Sequence, residues 1–401
     1  MSIHTRLVIV IAGLAAAAAT PEFAGASDCT RTSVGVTPLN DLGAGLYLGQ
    51  FQGGLYPGGV NAPPVSHASA GLAKAALVVP RDDGGTPAQS GKVVLLSIGL
   101  SNTTQEFCGG AFPNCQSFSF IGQAAASPLV NHTSLVIVDG AMGGQTPSTW
   151  DMPTDANYTA VRNRLTTAGV TEAQVQAVWI KEAQAQPSIH LPSAAADAYT
   201  LERGIGNMVR ACKVRYPNLR LVYLSSRIYA GYASTTLNPE PYAFETGFSV
   251  KWLIEAQIDQ RSGGGVDPIA GDLDDNTVAP WLAWGPYLWA DGLTPRSDGL
   301  TWACADLNTD GTHPANSGRA KVGGMILSFL LAEPTAANWF RAGTPLCPAD
   351  FNTDGQLSVQ DIFDFLAAYF GNNSRADFNL SGSLGVQDIF DYLAAYFAGC
   401  P

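Results

Sequence analysis

The run Lys92-Val93-Val94-Leu95-Leu96-Ser97-Ile98 restricts this chain more than any other stretch. It is short, apolar and β-branched, the composition of a strand covered on both faces in a parallel sheet. Gly99-Leu100-Ser101-Asn102 follows at once, a turn into residues with acceptors and an acid suited to a helical first turn. A parallel strand needs a crossover to its neighbour, and the chain supplies the alternation. Further strands are expected at 134–138, 175–181, 218–224 and 281–284, with helices at 156–167, 194–216, 241–260 and 315–332 between and after them. Right-handed crossovers then give an α/β fold, a parallel sheet between two helical layers. Residues 27–90, rich in Gly, Pro and Ala, read as irregular cover with one or two short strands.

In such a fold, ligands bind beyond the carboxyl ends of the strands. Ser101 stands at one of those ends. The glycine-rich turn Asp139-Gly140-Ala141-Met142-Gly143-Gly144 stands at the second, and Gln184, with an amide donor, follows the third. Asp310-Gly311-Thr312-His313-Pro314 precedes the last helix and offers a base with an acid three residues away. Neutral serine is a weak nucleophile and needs such a base. A helix-capping serine and a capping histidine would occupy the same places without chemistry. His190 is the rival base, while His67 and His132 have no motif around them.

The blocks Gly99-x-Ser101, Gly144, the polar residue after the third strand and Asp310-x-x-His313 resemble those of the SGNH (GDSL-like) hydrolases, over about residues 92–331. The resemblance implies a flavodoxin-like three-layer sheet and ester hydrolysis, with Ser101 as nucleophile, His313 as base and Asp310 as its orienter. It also implies an oxyanion hole from the N–H groups of Ser101 and Gly144 and the amide of Gln184, with no cofactor for catalysis. Two departures stand out: Leu100 replaces the usual aspartate, and Gln184 the usual asparagine. Acetyl esters of polysaccharides are the expected substrate. The alternative is a surface carbohydrate-binding or scaffold protein that has lost activity.

Flanking segments set the context. Residues 1–26 have Arg6, an apolar stretch and Ala24-Gly25-Ala26, the layout of an export signal, so the protein is expected to be secreted or at the cell surface. No later stretch suits a membrane span. Net charge is −12, which argues against nucleic acid as a partner. All seven cysteines follow residue 26, and the expected pairs are Cys108–Cys115, Cys347–Cys400 and Cys212–Cys304, leaving Cys29 over. Trp281, Trp284, Tyr287 and Trp289 form a cluster that serves either a core or a sugar platform, and Arg227 either meets substrate or pairs with Glu245.

From about residue 344 the character changes. Asp350, Asn352, Asp354, Ser358 and Asp361 fall at positions 1, 3, 5, 9 and 12 of a calcium loop, with Gly355 at the turn and Gln356 at position 7. Asp377, Asn379, Ser381, Ser383 and Asp388 repeat the pattern with fewer charged ligands, and near-identical helices follow at 362–370 and 389–397. The tandem resembles an all-α, EF-hand-like dockerin domain, which implies structural Ca2+ and a cohesin-like partner. Val359, Ile362, Phe363, Leu366 and Phe370 are expected to form its buried stripe, with Phe365, Tyr369, Tyr392 and Tyr396 on the flank.

Overall fold

The computed structural model describes residues 26–342, 349–352, 356–379 and 384–399. The expected export signal, the Cys347–Cys400 pair, Asp354, Ser381 and Ser383 lie outside the described residues.

Five parallel strands form the central sheet: β1 (Val93–Gly99), β2 (Leu135–Asp139), β3 (Val175–Lys181), β4 (Leu221–Ser225) and β5 (Trp281–Trp284). Their spatial order is β2-β1-β3-β4-β5, that of flavodoxin-like sheets. Every residue of β1, β3, β4 and β5 is buried. That explains why these strands read as continuous apolar runs rather than alternating ones. β2, at one edge, keeps two half-buried positions.

Besides single turns at Leu39–Leu42 and Ala337–Phe340, the helices around the sheet are α1 (Val65–Ala75), α2 (Ser101–Phe107), α3 (Phe120–Ala126), α4 (Ala156–Thr167), α5 (Asp197–Arg215), α6 (Tyr242–Arg261) and α7 (Asn316–Ala332). α5 packs along α6, whereas α7 packs on α2 and α3, so two helical groups cover the sheet. No helix among the described residues is long and apolar enough to cross a membrane.

Residues 27–90 are less irregular than their composition suggests. They hold a two-stranded hairpin, Leu46–Tyr47 with Phe51–Gln52, and also α1, which the composition does not announce. α1 closes the β5 side of the sheet. A Cβ on Gly71 would lie 2.4 Å from the Trp281 ring, so only glycine permits this approach. His67 on the same helix meets the Leu282 carbonyl through Nε2 at 2.8 Å, and burial lowers its pKa to about 4. It is a neutral core histidine.

The cysteine pairing differs from expectation. Cys108 bonds Cys115, but Cys304 bonds Cys29, and Cys212 is a buried free thiol. The N-terminal segment runs over the surface beside Cys304, held by Ser27 N–H on the Thr309 carbonyl and Asp28 N–H on the Tyr232 carbonyl. Cys212 faces inward on α5, with its Sγ 3.5 Å from the Tyr158 hydroxyl. The aromatic cluster is core as well: Trp281, Trp284, Tyr287 and Trp289 are all buried, which removes the sugar-platform reading.

The C-terminal helices are α8 (Val359–Phe370) and α9 (Val386–Ala398). Their packing divides the expected stripe. Phe365 and Tyr392 are fully buried and stack with centroids 4.0 Å apart and planes 2° from parallel. Ile362 and Leu366 pack beside them, whereas Val359, Phe363 and Phe370 are exposed, as are Val386, Phe390 and Phe397 at the matching positions. Both helices are apolar on more than one face. Tertiary pairing across the repeat, rather than helical period, selects which face is covered.

Candidate active site

The strand order places the reversal of sheet winding between β1 and β3, where open α/β sheets leave a crevice at their carboxyl ends. Four loops meet there. Ser101 follows β1, Gly144 follows β2, Gln184 follows β3, and the 310–313 turn leads into α7. All of Ser101, Gly144, Gln184 and His313 line one pocket of about 250 Å³, together with Leu100, Ala183 and Leu237.

Local chemistry fixes the turn at Ser101. Gly99 has φ +149°, and a Cβ there would sit 2.1 Å from the Lys181 carbonyl of the neighbouring strand. Glycine therefore lets β1 end against β3 while the chain turns outward. Thr103 donates from its hydroxyl to the same Lys181 carbonyl at 2.7 Å, pinning α2 to β3. Beneath them Lys181 Nζ meets both oxygens of Glu106 at 2.7 Å, with both side chains fully buried. Burial raises the Glu106 carboxyl above its ordinary value and lowers Lys181 to about 8.

Ser101 Oγ lies 2.8 Å from His313 Nε2, and His313 Nδ1 lies 2.5 Å from Asp310 Oδ2. Asp310 Oδ1 accepts the N–H groups of Thr312 and His313, each at 3.0 Å. Burial opposes ionisation of Asp310, but the hydrogen bonds from the His313 ring and these N–H groups outweigh it, and the pKa falls to about 2. The acid stays charged at any ordinary pH, so Nδ1 carries the proton and Nε2 is free to accept one from serine.

The donors expected around an oxyanion are partly assembled. The Ser101 N–H stands in the first turn of α2, where no intrahelical acceptor exists. Gly144 has φ +75°, with open space where a Cβ would be, and its N–H meets no acceptor among the described residues. Gln184 anchors its carbonyl on Asn238 Nδ2 at 3.0 Å, while its side-chain amide has no partner among the described residues. Gly143, not singled out from sequence, comes nearer the nucleophile: its Cβ position is 3.8 Å from Ser101 Cβ. The turn is held by Arg164, whose Nη1 donates to the Asp139 and Ala141 carbonyls at 2.8 and 2.9 Å.

Two other histidines separate from this group, whereas Arg227 and Asn102 line the same pocket. His190 does not line the pocket, and its Nδ1 lies 2.5 Å from the Leu191 carbonyl. His132 is bound to the Ser127 carbonyl at the surface. Arg227 does not pair with Glu245, which instead accepts the Leu191 N–H at 3.1 Å. Its guanidinium is buried and donates through Nη2 to the Thr312 carbonyl at 3.3 Å. Asn102 donates to that carbonyl too, at 3.2 Å. Neither role carries a local sequence signal, since the partners lie 85 and 210 residues away.

In the C-terminal segment, Asp361 and Asp388 are fully buried and bracket their loops alike. Asp361 accepts from Asn352 N–H and Ser358 N–H at 3.1 and 2.8 Å, and Asp388 accepts from Asn379 N–H and Gly385 N–H at the same distances. Burial works against the Asp361 charge, but the Ser358 and Asn352 N–H groups and contact with the Asp350 side chain hold its pKa below the ordinary value. Among the described residues, no group of three or more His, Cys, Asp or Glu is placed to hold a metal. The described part of the donor set (Asp350, Asn352, Gln356, Ser358 and Asp361) presents only oxygen and amide groups and suits a hard cation.

No family model matches the chain, and no curated protein matches it. Among solved structures it is similar to a protein from Arabidopsis thaliana, at 11% identity over 60% of this chain and 99% of that one, with a TM-score of 0.34. A two-domain esterase active on acetylated mannans is similar at 10% identity over 61% of this chain and 49% of that one, with a TM-score of 0.33. A mutant of an acetyl-xylooligosaccharide esterase from Geobacillus is similar at 15% identity, over 61% of this chain and 97% of that one, with a TM-score of 0.32.

Proposed function

We propose that the chain is a secreted serine esterase acting on short acyl esters, with acetyl groups on polysaccharides as the substrate class. The observation that carries this reading is the continuous path Ser101 Oγ–His313 Nε2, His313 Nδ1–Asp310 Oδ2, at 2.8 and 2.5 Å, opening into a pocket of about 250 Å³. His313 takes the Ser101 proton as Oγ attacks the ester carbonyl, and Asp310 stabilises the imidazolium that forms. The Ser101 and Gly144 N–H groups and the Gln184 amide receive the developing oxyanion. His313 then returns the proton to the departing alcohol, and water repeats the sequence on the acyl-enzyme. The pocket lining supports a short acyl group: Leu100, Ala183 and Leu237 offer apolar contact for a methyl.

We further propose that residues 344–401 form a dockerin-like module in which Asp350, Asn352, Asp354, Gln356, Ser358 and Asp361 hold one calcium ion. Asp377, Asn379, Ser381, Ser383 and Asp388 hold a second more weakly. Calcium held by these residues would be structural, supplying counter-charge to their carboxylates. The duplicated exposed rows Val359, Phe363, Phe370 and Val386, Phe390, Phe397 support a protein partner of cohesin type.

Turnover of p-nitrophenyl acetate tests the enzyme reading. Wild type hydrolyses it and Ser101→Ala does not, while both give the same circular dichroism. No turnover by wild type would overturn the reading in favour of a carbohydrate-binding or scaffold protein, and equal turnover by both would remove Ser101 as the nucleophile.

A further inference from the structure

The loop bearing His313 receives several ties from the segment after β4. Gly311, at φ +64°, lies so close to Tyr232 that a Cβ would come within 2.2 Å of its carbonyl. Ser234 N–H donates to the Asp310 carbonyl at 3.3 Å, and the Thr235 and Thr312 hydroxyls meet at 3.0 Å. The same segment reaches the other side of the pocket, where the Leu237 carbonyl accepts the Gln186 N–H at 2.8 Å and Asn238 holds the Gln184 carbonyl. Residues 226–238 thus join the loop of the base to the loop of the Gln184 amide.

At the centre of this arrangement is the Thr312 carbonyl, one peptide unit before the base. It accepts Arg227 Nη2 from the segment after β4 and Asn102 Nδ2 from the helix that begins with the nucleophile. Burying an arginine is costly, and this one is fully buried, with its Nε unpartnered. Apolar side chains of similar volume would fill the space with less penalty, so its donor is the feature that sets it apart. Asn102 couples the carbonyl directly to Ser101, its chain neighbour.

We infer that Arg227 and Asn102 are positioning residues for His313: by gripping the Thr312 carbonyl from two elements, they fix the base against Ser101 and Asp310. The catalytic consequence rests on the esterase reading, whereas the geometric claim does not. A hydrogen bond from a charged donor, when lost, corresponds to about 10- to 100-fold in an equilibrium or rate.

The test compares Arg227→Met, Arg227→Lys and Asn102→Leu with wild type by two readouts. The first is turnover of p-nitrophenyl acetate. The second is the downfield proton resonance of His313 Nδ1–H, assigned by its loss in His313→Ala. Arg227→Met is expected to lower kcat about 10- to 100-fold and Asn102→Leu about 2- to 10-fold, each with KM within about twofold, and both to shift or broaden the resonance. Arg227→Lys keeps the buried charge, which secures folding if Arg227→Met does not fold, and should recover part of both losses. A raised KM with unchanged kcat would make these residues substrate contacts and overturn the inference. So would a His313 resonance indifferent to both Asn102→Leu and Arg227→Lys. If wild type has no esterase activity, the esterase reading fails, and the resonance still decides whether the two residues hold the base.

Discussion

Replacing Lys181 by methionine leaves the Glu106 carboxylate buried with its ammonium partner gone. Both oxygens of Glu106 lie 2.7 Å from Lys181 Nζ, and neither side chain has any exposed surface. Breaking one half of a buried pair costs about 3–5 kcal/mol, because the surviving charge has lost both water and counter-charge. Arg227 remains as a nearby cation that also stabilises the Glu106 charge. The expected loss therefore lies near the lower end, about 3 kcal/mol at pH 8. Its pH dependence has a fixed sign. Burial already raises the Glu106 carboxyl in the folded protein, and the variant raises it further, above the ordinary value near 4.3 of an unfolded glutamate. The native variant then binds a proton that the unfolded chain releases. The deficit is smallest below about pH 4.3 and grows as pH rises through the folded value. Urea unfolding followed by tryptophan fluorescence at pH 5 and pH 8 measures this directly. Glu106→Met combined with Lys181→Met removes both charges and should recover most of the stability. A Lys181→Met deficit below about 1 kcal/mol at pH 8, or one that shrinks as pH rises, would refute the reasoning.

If the Gln184 amide meets the oxyanion, Gln184→Ala lowers kcat about 10²-fold with little change in KM, and Gln184→Asn recovers part of it; a change in KM alone would assign the residue to substrate binding. Burial raises the Cys212 thiol to about 12, so iodoacetamide followed by peptide mapping should find Cys212 unlabelled in the native chain and labelled after denaturation, with Cys29 and Cys304 labelled only after reduction. In calorimetric titration of the full chain with Ca2+, Asp350→Ala should remove the tighter binding event and Asp377→Ala the weaker one, because the first loop has the fuller carboxylate set; heats unaffected by either change would remove the metal assignment.

Several features of the fold are legible in the sequence because they are local. Strands at 175–181 and 281–284 coincide with β3 and β5, since a buried parallel strand announces itself as an unbroken apolar run. β4 begins at Leu221 rather than at 218, because Leu219 N–H turns back onto the Tyr216 carbonyl and pairing starts beyond it. Asp310 and His313 are readable as a pair because only two residues separate them on one turn. What escapes is what depends on distant partners. Cys29 finds Cys304 across 275 positions, a pairing no spacing reveals. α1 is hidden by its small residues, and their purpose, the close approach of Gly71 to Trp281, exists only in three dimensions. The stripe of α8 is legible from period only at Ile362 and Leu366, because that helix is apolar on several faces and the stacking of Phe365 on Tyr392 settles which is covered.

In the proposed mechanism Ser101 is a nucleophile activated by His313. A fluorophosphonate that forms a covalent bond with activated serines measures this directly, with the adduct located by peptide mass mapping. A single adduct is expected on Ser101 in the native chain, absent in Ser101→Ala and strongly slowed in His313→Ala. An unlabelled Ser101, or one labelled equally fast without His313, would contradict it.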